Sequence, residues 1–306
     1  MKFHQLTLGA ATVALAITLA ACGDPTSDGA SSDGAKAAAD SITVGSAAFP
    51  ESEIVAEIYA QALEAQGVKV SKKLNIGARE VYIPALQNGE IDLLPEYSGN
   101  LLTFFDPEAT ATTAQEIEDK LDDVLPDQLE VLDASPAENK DSLVVTPEFA
   151  EKNKVASIED LATLEGVTIG ANPEFKERPY GIPGLEKVYG LSGLKFVPIG
   201  DGGGPKTLKS LLDGDIDVAD IYSTTPSISA NKLVTLSDPK NLIAAQNVIP
   251  LISDAKASDK VEDILDKVSA ALTTQDLLDL NAKNQGEQKT APAQLAKEWL
   301  TAKNLL

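Results

Sequence analysis

The sequence predicts an α/β protein built as two lobes, and two observations carry that prediction. Short β-branched runs alternate along the chain with segments whose apolar residues recur at helical spacing, the pattern of mostly parallel sheets flanked by helices. The phrase G-[ED]-I-D-x-x-x-x-Y-S also occurs twice, as GEIDLLPEYS at 89–98 and as GDIDVADIYS at 214–223, 125 residues apart. Such a repeat places one strand end in each of two similar units.

The elements follow in order. Ile42-Thr-Val-Gly is a first strand, and Pro50 with Glu51 and Glu53 opens a helix whose Ile54, Val55, Ile58, Ala62 and Leu63 share a face. Val68-Lys-Val-Ser resumes as a strand, 80–88 reads as a helix, Ile91 to Leu94 as a strand and 113–125 as a helix. A second set begins after Ser142-Leu-Val-Val-Thr146, with a helix at 158–164, the strand Val167 to Gly170, a helix at 185–189, a strand at 195–199, a helix at 206–212 and a strand at 216–218. The tail, 261–282 and 292–304, reads as helical, with Trp299, Leu295 and Leu300 anchoring the last helix.

In both copies of the phrase a helix ends at a glycine, Gly89 or Gly214, suited to a left-handed C-cap. Ile91 and Ile216 follow as buried strand residues beside Asp92 and Asp217. The pairs Tyr97-Ser98 and Tyr222-Ser223 then emerge on a loop past the carboxyl edge of the strand, where open parallel sheets bind ligands. One tyrosine on each wall of a single cleft is the expectation.

Composition narrows the function. A net charge of −22 disfavours nucleic acid and anionic membrane surfaces as partners. The only cysteine is Cys22 and the only histidine is His4, both in the N-terminal segment. The folded part is therefore expected to hold no disulfide, no Cys or His catalytic pair, no Cys- or His-ligated zinc and no cofactor, and not to be an enzyme. Residues 1–21 have the basic start, apolar run and small-residue end of an export signal. Leu19-Ala-Ala-Cys22 is similar to a bacterial lipobox with Cys22 as the lipidated residue, and 22–40 reads as a flexible tether. The expected location is outside the cytoplasm, lipid-anchored to the outer face of the cell membrane.

Gly200-Asp-Gly-Gly-Gly-Pro205 lacks the Gly-Lys-Ser/Thr ending of a phosphate loop and reads as a flexible connector. The acid-rich stretches 116–123 and 213–220 lack the pattern of a calcium loop and read as solvated faces.

Several motifs in order resemble the substrate-binding proteins of osmoprotectant ABC importers, which carry glycine betaine, choline, carnitine and related quaternary ammonium compounds. They are Gly45-Ser46 through Phe49-Pro50-Glu51, Gly77-Ala-Arg-Glu-Val81, the first copy of the phrase with Pro95-Glu-Tyr-Ser-Gly99, and Glu177-Arg-Pro-Tyr-Gly-Ile-Pro-Gly184. Asp217-Val218 with Tyr222-Ser-Thr224, Asp238-Pro-Lys-Asn241, Gln246-Asn-Val248 and Leu272-Thr-Thr274 complete the set. The resemblance implies a periplasmic-binding-protein-like (type II) clamshell whose chain crosses between lobes twice. Lobe 1 would be 41–145 plus 251–306 and lobe 2 would be 146–250, with crossings near 143–146 and 248–251. The implied protein is a monomer that captures a small solute by lobe closure and delivers it to permease subunits.

The resemblance also implies a site. Tyr97 and Tyr222, with Tyr180 as a further ring, would hold a trimethylammonium group by cation–π attraction, with Ser98 and Ser223 beside them. Arg178, one of only two arginines, could clamp a carboxylate. Ala47 stands where relatives often have lysine, and Asp141-Ser142 and Gln246 stand where they have tyrosines. The pocket is therefore expected to be more polar than a full betaine cage, with Asp141 answering a cation or hydroxyl directly. The alternatives are the same fold binding another polar or aromatic solute, or a sensory lipoprotein without a transport role.

Overall fold

A computed structural model describes residues 41–306, so the export signal, Cys22 and the tether lie outside the described residues. Two five-stranded sheets organise the chain. The first has the order β2-β1-β3-β10-β4, with β1 Ile42–Gly45, β2 Val70–Lys73, β3 Leu93–Tyr97, β4 Leu129–Val131 and β10 Val248–Ser253. The second has the order β7-β6-β8-β5-β9, with β5 Leu143–Val145, β6 Thr168–Ala171, β7 Lys195–Pro198, β8 Val218–Asp220 and β9 Val234–Thr235.

Each sheet has three parallel strands and then an antiparallel one, β10 in the first and β5 in the second. Those two strands receive the chain from the other lobe. The crossings therefore lie earlier than expected, because Leu143–Val145 is wholly paired within the second sheet and Val248–Ser253 within the first.

Alternation along the strands fills both faces of each sheet, as a sheet covered on two sides requires. In the first lobe Val44, Leu93, Val248 and Ile252 meet the helices Pro50–Ala65, Asp259–Ala271 and Pro292–Lys303, with Trp299, Leu295 and Leu300 in the same core. Leu94, Ile249 and Leu251 face Tyr82, Ile83 and Leu101 on the other side. In the second lobe Leu143, Val145, Ile169 and Val218 pack one way and Val144, Ala219 and Ile221 the other.

The repeated phrase has a structural account. Asp92 accepts from the Thr43 amide at 2.7 Å and Asp217 from the Thr168 amide at 2.8 Å, so each aspartate ties its own segment to the neighbouring parallel strand, β1 in the first lobe and β6 in the second. The regular strand begins at Leu93 rather than at Ile91 in the first lobe, and at Val218 rather than at Ile216 in the second. Gly45 and Gly170 lie directly under Ile91 and Ile216, where an added Cβ would stand 2.8 and 2.5 Å from the isoleucine Cδ1. Gly89 and Gly214 have φ of 70° and 78°, the left-handed region that favours glycine.

Three further elements differ from the sequence expectation. Residues 158–164 form only a 3₁₀ turn, Glu159–Thr163. The run 261–282 is broken at Leu272-Thr273, where Thr273 and Asp276 form a capping box that starts a new helix, Thr274–Gln285. Tyr97 leads into the helix Ser98–Phe105 instead of a loop.

Candidate functional site

A cavity of about 220 Å³ lies where the carboxyl edges of both sheets face one another. Its walls come from the residues after β1 (Ala47, Ala48, Phe49), after β6 (Asn172, Pro173, Glu174), after β7 (Gly200, Gly202), from Tyr97 and from Tyr222. Asn139 and Asp141 line it from the first crossing, and Arg79, Tyr82 and Asn100 from first-lobe helices.

Three rings meet there. The Phe49 ring centroid is 5.9 Å from that of Tyr97 and 5.3 Å from that of Tyr222, edge-on in the second case. Phe49 thus bridges the two tyrosines that the repeat had placed on opposite walls. Gly202, at φ +65°, lets the β7 loop approach: an added Cβ would stand 3.3 Å from Phe49 Cβ and 3.7 Å from Tyr222 Cε2. The segment 200–205, expected as a plain connector, is a wall of the cavity. Asp201 holds it by accepting from the amides of Gly204 and Lys206 and from Thr207 Oγ1 at the start of the helix Pro205–Asp213.

Each phenol is fixed by a partner. Tyr97 donates to Glu51 at 2.7 Å, and Tyr222 accepts from Asn172 Nδ2 at 3.0 Å. Burial is the main force that raises both phenols well above their usual range, helped by Glu51 beside Tyr97 and by Asp141 and Asp220 beside Tyr222. Both rings are therefore neutral at any physiological pH.

Glu51 is buried and accepts from four side chains: Tyr97, Asn139, Thr224 and Asn281, at 2.5 to 2.8 Å. These come from the first sheet, the first crossing, the second lobe and a C-terminal helix, so one carboxylate ties the lobes together beneath the rings. Arg79 forms a two-pronged pair with Glu96, both contacts at 2.7 Å, and Tyr82 donates to the same carboxylate; Glu96 is 0% exposed. Arg178 of the second lobe reaches Glu80 of the first at 3.2 to 3.4 Å and donates its Nη1 to Tyr180.

Asp141 accepts from Asn100 at 2.8 Å. Beside it Asp220, at the end of β8, is 2% exposed, and its Oδ1 is buried without a hydrogen-bond partner. Asp220 therefore does not belong to a solvated face, contrary to the expectation for 213–220. Burial first, then the charge and hydrogen bond of Asp141, hold its carboxyl well above the usual range.

Because folding raises this pKa, the folded state holds the proton more tightly. Stability contributed by the group is then present below the unfolded value near 4 and is lost as pH rises through the folded value. Asp220→Asn keeps a donor to Asp141, an amide N–H, without an ionisable proton. It should remove that slope in urea midpoints measured from pH 4 to 8 and leave the variant more stable than wild type at pH 7. An unchanged slope with a variant weaker at pH 7 would contradict this.

The profile of the family described as the substrate-binding domain of ABC-type glycine betaine transport systems matches residues 40–302. The chain belongs to this family. A relative 32% identical, over 80% of this chain and 85% of its own length, is the glycine betaine-binding protein YehZ of Escherichia coli strain K12. The carnitine transport binding protein OpuCC of Listeria monocytogenes is 26% identical over 87% of each chain. Among solved structures, apo YehZ from Escherichia coli aligns at 28% identity with a TM-score of 0.61, covering 88% of this chain and all of that one. A glycine betaine/carnitine/choline ABC transporter protein shares the fold at 21% identity, with a TM-score of 0.66 over 86% of this chain and 99% of that chain.

This member of the family is a solute-binding component of an ABC importer, working outside the cytoplasm, and not an enzyme. Its fold is the type II clamshell of its structural neighbours. Among the described residues no helix is long and apolar enough to cross a membrane, and no group of three or more His, Cys, Asp or Glu is placed to hold a metal.

Of the residues singled out in the sequence, Tyr97, Tyr222, Arg178 and Asp141 line the cavity. The others stand behind it. Ser98 accepts from the Asn247 amide, and Ser223 accepts from the Lys140 amide, so both bind the crossings. Tyr180 lies in the adjoining groove with Phe104 and Pro179. Gln246 holds Asn100 through two hydrogen bonds, at 3.0 and 2.8 Å, and so positions a lining residue.

Phe49, Arg79, Tyr82, Asn100, Asn139, Asn172 and Glu174 were not foreseen as lining residues. A signal for three of them was present: Ala47-Ala48-Phe49 and Asn172-Pro173-Glu174 are 125 residues apart, the offset of the repeated phrase, and both triplets line the cavity.

Proposed function

We propose that this protein captures one small quaternary ammonium compound between its lobes and delivers it to the permease of its importer, as a monomer anchored through lipid on Cys22. The observation that carries the ligand class is the convergence of Phe49, Tyr97 and Tyr222 on one cavity, with rings contributed by both lobes. A trimethylammonium group has no N–H to donate, so ring faces are its natural partners, at about 0.5 to 2 kcal/mol each. The binding names of YehZ and OpuCC, glycine betaine and carnitine, belong to the same chemical class.

Closure follows from the placement of the contacts. Phe49 of the first lobe meets Tyr222 of the second, Glu51 meets Thr224, and Glu80 meets Arg178. A ligand that touches both walls stabilises the arrangement in which these contacts form.

Saturation at about 100 times Kd should stabilise the protein by about 2.7 kcal/mol, read as a rise in melting temperature. Tyr222→Ala should fold and lose most of that rise, because the ring sits at the cavity and not in a lobe core. A Tyr222→Ala variant with an undiminished shift would rule the ring out as a ligand contact.

A further inference from the structure

Beside the cavity lies a groove of about 310 Å³ that the three rings do not border. Arg79, Asn100, Glu174 and Arg178 line both spaces, so these four residues form a polar collar between them. Beyond the collar the groove runs between the lobes, with Thr103, Phe104 and Pro107 from the first and Pro179 and Tyr180 from the second. One helix serves both spaces: on Ser98–Phe105, Asn100 at the collar shares a face with Thr103 and Phe104, three and four residues on. Pro107 and Glu177 at the rim are exposed, so the groove opens to the surface.

The groove walls are apolar and fixed. Phe104 stands edge-on to Phe105 with ring centroids 5.2 Å apart, and Tyr180 stands edge-on to Phe175 at 6.3 Å. The Tyr180 hydroxyl is engaged by Arg178 Nη1, whose Nε and Nη2 go to Glu80. Three carboxylates, Glu80, Glu174 and Glu177, border the groove against two guanidiniums, and Arg79 is already neutralised by buried Glu96. The surplus of negative charge opposes an anion there. The collar, by contrast, has donors to spare. Arg79 gives Nε and Nη2 to Glu96 and has no acceptor for Nη1 among the described residues. The cavity-lining amides of Gly77, Ala78 and Arg79, at the start of the helix Arg79–Gln87, likewise have none. A ligand carbonyl at the collar would satisfy such donors.

Resting on the reading of the rings as a quaternary ammonium site, we infer that the groove receives the uncharged apolar tail of a quaternary ammonium ester, a trimethylammonium head joined through a carbonyl to a short acyl chain. The head lies against Phe49, Tyr97 and Tyr222, and the carbonyl accepts from the collar. The chain then leaves the cavity between Arg79 and Arg178 and lies along Phe104 and Tyr180. Rings, free donors and apolar walls follow one another in the order of the three parts of such a molecule.

The test is calorimetric titration of the whole folded protein with choline, glycine betaine and the acetyl, butyryl and hexanoyl esters of choline. A fully buried methylene raises affinity by about fourfold, so butyrylcholine should bind at least about fivefold tighter than acetylcholine, and hexanoylcholine at least as tightly as butyrylcholine. Thr103→Trp fills the groove and Phe104→Ala removes one wall. Each should bring the three esters to within about twofold of one another and leave choline within about twofold of its wild-type affinity. Where Phe104→Ala folds poorly, Thr103→Trp and the wild-type series decide. Ester affinity that is flat or falls with chain length, beside measurable binding of choline or glycine betaine, overturns the tail site and leaves the ammonium site standing. A rise with chain length that both variants retain puts the tail elsewhere and overturns it as well. No binding of any quaternary ammonium compound by folded protein overturns the ring site and the tail site together.

Discussion

Arg79→Ala should destabilise the protein by about 3 to 5 kcal/mol, the cost of leaving a buried carboxylate without its partner. Glu96 is 0% exposed within β3, and Tyr82 alone cannot neutralise its charge. The Arg79 fork also fixes the start of the helix Arg79–Gln87 over the sheet, next to the cavity. A paired replacement, Arg79→Met with Glu96→Gln, should recover much of the loss, since the expense lies in the unpaired charge and not in missing ion-pair attraction. Urea midpoints read the difference; a loss below about 1 kcal/mol for Arg79→Ala would mean that Glu96 finds another partner.

Glu51→Ala comes next in size and acts on both folding and binding. It strands the Tyr97 hydroxyl, the Asn139 and Asn281 amides and the Thr224 hydroxyl, buried groups that each cost about 1 to 3 kcal/mol when unsatisfied. Relaxation will satisfy some of them, so a total of several kcal/mol is the expected result. Glu51→Gln keeps one acceptor oxygen and should cost markedly less. Ligand-induced stabilisation should also shrink in Glu51→Gln, because Tyr97 loses its anchor and the lobes lose a shared contact. Equal urea midpoints for Glu51→Ala and wild type would contradict the role of Glu51 as the tie between lobes.

Much of the fold was legible because local periodicity and punctuation agree with it. Pro50 and the spacing of Ile54, Val55 and Ile58 gave the first helix, and the doubled phrase gave two equivalent lobes. The aspartates of that phrase were legible as a repeat but not as a role, since their partners Thr43 and Thr168 lie 49 residues upstream. The crossings were displaced because β-branched runs look alike whether they span a hinge or pair within a sheet; only the register of β5 and β10 distinguishes them.

The site was legible in its tyrosines and in Asp141, and less so in what holds them. Ser98–Phe105, which brings Asn100 to the cavity, begins Ser-Gly-Asn and has weak helix propensity, so its pattern alone did not mark a helix. Asn100 depends on Gln246, 146 residues away, and Glu51 on Asn281, 230 residues away, and such pairs leave no trace in a local window. Arg178 was visible as a rare arginine, but its engagement by Glu80 of the other lobe was not.

Calorimetric titration of the wild-type protein with a panel of quaternary ammonium compounds tests the capture of such a solute most directly. One equivalent of at least one member of the panel should bind saturably per chain, with the negative heat-capacity change expected when apolar methyl groups and ring faces leave water. No binding to any quaternary ammonium compound by folded protein, with saturable binding of a neutral polyol, sugar or aromatic solute, would contradict it.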